Sequence, residues 1–167
     1  MQRFQLTLFT DKNQSTDIEE IRKKYNPLQH KLIDSHITLC REDELLDLNQ
    51  LKINLQNLKF KPLKLQFGSP LRFSDGKGVY LPVSDEVESF HTLRKSILKG
   101  IIDYPREHEP HLTLMHPRNS TCTDKIFQEI KDFSLPTYLI FQKISLIQQL
   151  NGERWSIIEE FVLNSNR

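Results

Sequence analysis

The sequence predicts an α+β fold arranged as two related lobes. Three observations predict it. Strand-like and helix-like patterns alternate from end to end. Asp75-Gly76 and Asn151-Gly152 mark hairpin turns, which imply antiparallel pairing. A four-residue segment that begins at His36 returns, nearly unchanged, at His111. The 167 residues suit one domain, spanning 1–167 and long enough to hide a core without disulfides or metals.

Phe4, Leu6 and Leu8 recur every second residue and predict a first strand. Thr16 with Glu19 forms a capping box, and Ile18, Ile21 and Tyr25 make the stripe of a helix that Asn26-Pro27 stops. LIDSHITLC then predicts a strand, and EDELLDLNQLKINLQNL one long helix. Leu48, Leu51, Leu55 and Leu58 mark its buried face, while Glu42, Asp43 and Glu44 suit the positive end of its dipole. Beyond Pro62 the period is two again, through Leu63–Phe67, Leu71–Phe73 and Val79–Val83. Asp85 and Glu88 open a third helix with the stripe Val87, Phe90, Leu93 and Ile97, and Gly100 lies near its stop. A polar loop leads into the strand HLTLM, and a fourth helix occupies about 123–132. Two long strands, about 137–150 and 153–163, flank Asn151-Gly152.

Composition excludes several function classes. Lys and Arg number 23 against 22 Asp and Glu, a net charge of +1, so a protein that coats long nucleic acid is disfavoured. A small nucleotide or an RNA end needs only a local positive pocket. Cys40 and Cys122 make no disulfide framework and read as two free thiols. The first residues lack the pattern of a signal peptide, and no run reaches the ~18 apolar residues of a membrane helix. A cytoplasmic monomer with no membrane partner is expected. A single return of the repeated segment argues for a duplicated domain over a solenoid.

The repeated segments, HITL from His36 and HLTL from His111, carry the chemistry. On a strand, residues i and i+2 share a face, so His36 points with Thr38 and His111 with Thr113. Ile37, Leu39, Leu112 and Leu114 then form the apolar backs. If the lobes face each other, two imidazoles and two hydroxyls converge on one cleft. That set suits phosphodiester chemistry without a metal. A neutral imidazole takes a proton from the attacking oxygen, an imidazolium gives one to the leaving oxygen, and the hydroxyls hold the nonbridging oxygens.

The pair HITL and HLTL resembles the signature of the two-histidine phosphoesterase superfamily, which includes 2′-5′ RNA ligase-like proteins and cyclic nucleotide phosphodiesterases. Asn26-Pro27-Leu28, the motif spacing and the strand–helix order extend the resemblance over nearly the whole chain. It implies two antiparallel sheets enclosing a central cleft, with helices outside and no cofactor. It implies a nucleotide or RNA-end substrate carrying a 2′,3′-cyclic or 2′-5′ linkage. By resemblance, His36 is the proton donor and His111 the acceptor in cyclic phosphate hydrolysis; the near-identical motifs do not themselves assign a direction. Many relatives carry an arginine five residues after the second histidine. Here His116 holds that position, and Arg41 stands five after the first histidine. Arg41 is a candidate for a bidentate phosphate contact or a solvated strand-end charge. His116 is a phosphate ligand when protonated, or a loop histidine without a role.

His30 and His91 read as solvated or packing residues, and His108 borders the second motif. Zinc on His108, His111 and His116 is disfavoured, because strand parity turns the outer two away from His111 and no Cys or Asp completes the set. Lys59, Lys61 and Lys64 read as a solvated face, and Tyr80 as packing or a base-stacking ring. No glycine-rich phosphate loop is present. The rival to an enzyme is a noncatalytic module of the same fold that senses a nucleotide.

Overall fold

A computed structural model describes residues 1–85 and 87–165. Strand β1 (Gln2–Phe9) buries Leu6 and Leu8 completely, as its alternation requires. Helix α1 (Thr16–Tyr25) buries Ile18 and Ile21. Its N-terminus has no capping box: Ser15 holds the cap position, and Glu19 instead accepts from the Ser35 N–H and from Arg22. Asn26-Pro27 does end α1, but the chain restarts at once as α2 (Pro27–Leu32). Proline is at home in a first turn, where its missing N–H leaves no bond unmade. The strand expected from Leu32 therefore shortens to β2 (His36–Cys40).

The long helix expected from Glu42 is also broken. Glu42–Glu44 form a 3₁₀ turn, and α3 (Leu48–Gln56) starts afresh with the Asp47 carboxylate capping the Gln50 N–H at 3.0 Å. Then come β3 (Leu63–Phe67), β4 (Leu71–Arg72), β5 (Val79–Asp85), α4 (described as Val87–Ile97), β6 (His111–Met115) and α5 (Asp124–Lys131). The helix start expected at Asp85 cannot be followed through Glu86, which lies outside the described residues. The run expected as one strand from 137 divides at Gln142 into β7 (Tyr138–Phe141) and β8 (Lys143–Leu150). Strand β9 (Ser156–Val162) returns through Asn151-Gly152, with φ of 50° and 78°, the two positive values a type I′ turn needs.

All pairings among the described strands are antiparallel, and the strand order is β7-β3-β5-β6-β2-β1-β8-β9 with β4 on β5. The two sheets of the α+β fold are thus lobes, β9-β8-β1-β2 and β6-β5-β3-β7, joined edge to edge in one curled surface. The halves interlock. After α3 the chain crosses to place β3 beside β5, and after β7, which pairs with β3, it crosses back to place β8 beside β1. Each lobe is therefore completed from the other half, one by β3 and the other by the β8–β9 hairpin. The seam is β2 against β6, where Ile37 sits opposite Leu112. Both are fully buried, with Leu39 and Leu114, in one continuous core.

A short hairpin joins β4 to β5 in the second lobe. A Cβ at Gly78 would stand 2.6 Å from the Phe73 ring and 2.7 Å from the Met115 carbonyl. Gly78→Ala is accordingly expected to cost about 1–3 kcal/mol, an overpacking penalty measurable as a lower urea midpoint. An unchanged midpoint would show that the hairpin yields freely.

Candidate active site

The seam register builds the site. With Ile37 across from Leu112, antiparallel pairing sets His36 across from Thr113 and Thr38 across from His111. The apolar partners face the core, so the four polar side chains share the opposite, half-buried face. The two histidines are diagonal neighbours, a relation that separates residues by about 7–8 Å in antiparallel sheets. They line one cavity of about 170 Å³, with Thr38, Thr113 and His116.

Both imidazoles are held alike. His36 Nδ1 lies 2.8 Å from the Asp34 carbonyl, and His111 Nδ1 lies 3.0 Å from the Glu109 carbonyl. A carbonyl only accepts, so each Nδ1 carries hydrogen and each Nε2 is left for proton transfer. Burial pushes the His36 pKa down to about 4, and the nearby charges of Arg22, His111 and His116 add to the fall. The bond to the Asp34 carbonyl opposes that shift without cancelling it. His36 is thus neutral near pH 7 in the free protein.

Gln5 was not singled out from the sequence. Its amide Nε2 donates to Thr38 Oγ1 at 3.1 Å and to Thr7 Oγ1 at 2.9 Å. With its oxygen already accepting, the Thr38 hydroxyl keeps its hydrogen for a ligand. The signal was present: Arg3, Gln5 and Thr7 alternate with Phe4, Leu6 and Leu8, so β1 presents its own polar stripe.

His116 lines the cavity, and it needs no charge to donate. Its Nδ1 accepts the Arg118 N–H at 3.1 Å, which leaves hydrogen on Nε2. Burial, then the charges of Arg118 and His111, hold its pKa below the ordinary value. Its own N–H is held by Asn26 Oδ1 at 2.7 Å, and Asn26 Nδ2 reaches Asn119 Oδ1 at 2.8 Å. Asn26 thereby ties the α1–α2 junction to the loop after the second motif.

Arg41 is not brought to the cavity. It begins the 3₁₀ turn, where Glu44 takes its N–H at 2.9 Å and Asp43 draws its guanidinium to 3.5 Å, and it faces a neighbouring groove. Positive charge reaches the cavity instead from Arg3, Arg22 and Arg118. Arg118 stands two residues beyond His116, with Nη2 3.4 Å from His116 Nε2. Arg3 bonds Gln149 Oε1 at 3.0 Å, pairs with Glu42 and lies over the Trp155 ring at 5.3 Å.

The other sequence candidates are placed elsewhere. His30 belongs to α2 and pairs with Glu19 at 3.3 Å. The His108 ring packs between Phe90 and His111, and burial lowers its pKa to about 4. Cys40 and Cys122 are buried free thiols, Cys40 being pushed up to about 12 by that burial. Among the described residues no group of three or more His, Cys, Asp or Glu is placed to hold a metal, and no helix is long and apolar enough to cross a membrane.

Comparison with known proteins bears on this arrangement. No curated protein sequence matches the chain. Solved structures do. E. coli LigT in its free form superposes with a TM-score of 0.69 at 15% identity, covering 98% of both chains. LigT with 3′-AMP gives 0.67 at 15% identity and the same coverage. TT0787 of Thermus thermophilus gives 0.62 at 16% identity, over 99% of this chain and all of that one. At such identity the likeness is one of fold. A family model for the 2′-5′ RNA ligase superfamily matches residues 10–153. That span takes in both histidine motifs and every strand but β1 and β9, the first and last in the chain, and the chain belongs to this superfamily of phosphoesterases and RNA ligase-like enzymes.

Proposed function

We propose that the protein is a metal-independent phosphodiesterase that processes RNA ends or nucleotides carrying 2′,3′-cyclic or 2′-5′ linkages. The observation that carries this reading is the seam quartet: two diagonal imidazoles with free Nε2 atoms, each beside a threonine hydroxyl, in one cationic cavity. In hydrolysis of a cyclic phosphate, water attacks phosphorus and gives its proton to the neutral imidazole. One P–O bond breaks, and the departing oxygen takes a proton from the imidazolium. Thr38, Thr113 and His116 donate to the nonbridging oxygens, and the arginines balance their charge.

Burial favours His36 as the base, because its Nε2, the nitrogen left for proton transfer, carries no proton in the free protein. His111 is then the donor, opposite to the direction implied by the family resemblance. A bell-shaped pH profile does not separate the two assignments, since exchanging roles leaves both limbs in place. Single variants do. In His111→Ala, residual kcat/KM is expected to rise with pH through about 4 and then level, following deprotonation of His36. A fall above about 4 would restore His36 as the acid.

The direct test is a panel of nucleoside 2′,3′-cyclic phosphates and 2′-5′ dinucleotides, assayed in EDTA with product regiochemistry read by NMR. Turnover of at least one class is expected. Nucleotide binding with no turnover across the panel would leave a sensing module instead.

A further inference from the structure

A second cavity, about 940 Å³, opens beside the first and shares His111 with it. Its size lies within the ~300–1,000 Å³ usual for small-molecule sites. Tyr80 lies opposite Thr113 in the sheet and so shares the face of the quartet. Its ring stands 4.5 Å from Phe73 and 5.5 Å from the His111 imidazole, and Phe73 stands 5.7 Å from His111. Phe73 and Tyr80 are both half-exposed, so part of each ring remains open to the groove. Among the described residues, the two cavities differ in charge. Arg3, Arg22 and Arg118 line the first, which no carboxylate lines, although Arg3 pairs with Glu42 and Arg22 with Glu19 from outside it. Glu107 and Glu109 line the second, and its only arginine, Arg41, is paired with Asp43.

We propose that the groove beyond His111 receives the terminal nucleoside on the leaving side of the phosphodiester, its base against Tyr80 and Phe73, and that Glu107 and Glu109 disfavour a further phosphate there. The rest of an RNA strand then leaves across Arg3 and Arg118. This rests on the acid–base reading above, with His111 on the leaving side. For a 2′-5′ linkage, the neighbouring 3′-hydroxyl attacks phosphorus and loses its proton to His36. The P–O5′ bond breaks, and O5′ takes the proton of His111. The products are a 2′,3′-cyclic phosphate on the upstream strand and a nucleoside with a free 5′-hydroxyl. The groove holds that nucleoside, and its 3′ end faces the carboxylates.

The test compares 2′-5′-linked adenylyl-adenosine with the same dinucleotide bearing a 5′-phosphate or a 3′-phosphate. Both kcat/KM and Kd are measured on the full chain. A 5′-phosphate is expected to be tolerated or favoured, and a 3′-phosphate to weaken both quantities by about tenfold at low salt. Glu107→Gln with Glu109→Gln should bring the 3′-phosphorylated and unmodified substrates to within about twofold. Tyr80→Ala should raise KM by about 10- to 100-fold while kcat moves much less, and Tyr80→Phe should restore it. Equal effects of the two end phosphates, or the reverse order, would overturn the proposal. Absence of turnover on every substrate would defeat the enzymatic reading instead, and the order of Kd values would still decide this one.

Discussion

Replacing either His36 or His111 with Ala is expected to lower turnover of a responsive cyclic or 2′-5′ substrate by about 10²–10⁴-fold, the range of a positioned proton-transfer group. Product affinity should change far less, because the phosphate contacts proposed for the threonines, His116 and the arginines remain in place. The double variant should be no worse than about tenfold below the weaker single one. Both imidazoles serve one reaction, and positioning alone sustains what remains. Thr38→Val removes one hydrogen bond to phosphate and leaves the proton path intact, so its loss should be smaller. It also leaves Gln5 Nε2 with the Thr7 oxygen as acceptor, so the site should keep its shape. Steady-state rates and phosphate affinity for the four variants check this. A His111→Ala protein turning over at the wild-type rate would remove the imidazole pair from the chemistry.

The shared face of each His-x-Thr pair was legible because strand parity is a local rule, whereas the meeting of the two pairs depends on the β2–β6 pairing, which no local pattern marks. His36-Thr38 and His111-Thr113 needed only two-residue spacing and apolar partners to be placed on one face. Asn151-Gly152 was legible for the same kind of reason, since both of its φ values are positive. The losses came where distant residues override local preference. Glu42–Glu44 read as a helix start, but Arg94, far along the chain, draws Glu44 inward, and Asp47 begins the helix instead. Pro27 read as a stop, although proline opens helices as readily as it ends them. Arg118 could not be matched to the cavity from sequence spacing, because a turn after β6 brings it beside His116. The exchange of β3 and β8 between the halves leaves no local trace, since either strand alternates equally well in either lobe.

Glu44→Ala is expected to destabilise the fold by about 3–5 kcal/mol, because it strands a buried guanidinium. Arg94 is 1% exposed. Its Nη2 reaches Glu44 Oε1 at 2.6 Å and its Nη1 reaches Oε2 at 3.1 Å, while further bonds go to the Leu39 and Arg106 carbonyls. Leu39 belongs to the strand of His36, and Arg106 to the segment that leads to His111. The pair therefore clamps both motifs from behind. Replacing both partners with apolar residues should recover only part of the loss, since the two carbonyls would lose their donor. The same pair sets an acid limit. Burial alone would raise the Glu44 pKa, but bonds from Arg94 and the Arg41 N–H, with the charges of Arg94 and Arg106, bring it below the ordinary carboxylate value. A depressed native pKa stabilises fully above the unfolded value of about 4.3, and that stabilisation disappears as pH falls through the lower native value. Urea unfolding at a series of pH values should thus show a steeper acid loss in wild type than in Glu44→Ala. Parallel slopes, or a neutral-pH loss below about 1 kcal/mol, would mean that water reaches Arg94 and replaces the carboxylate.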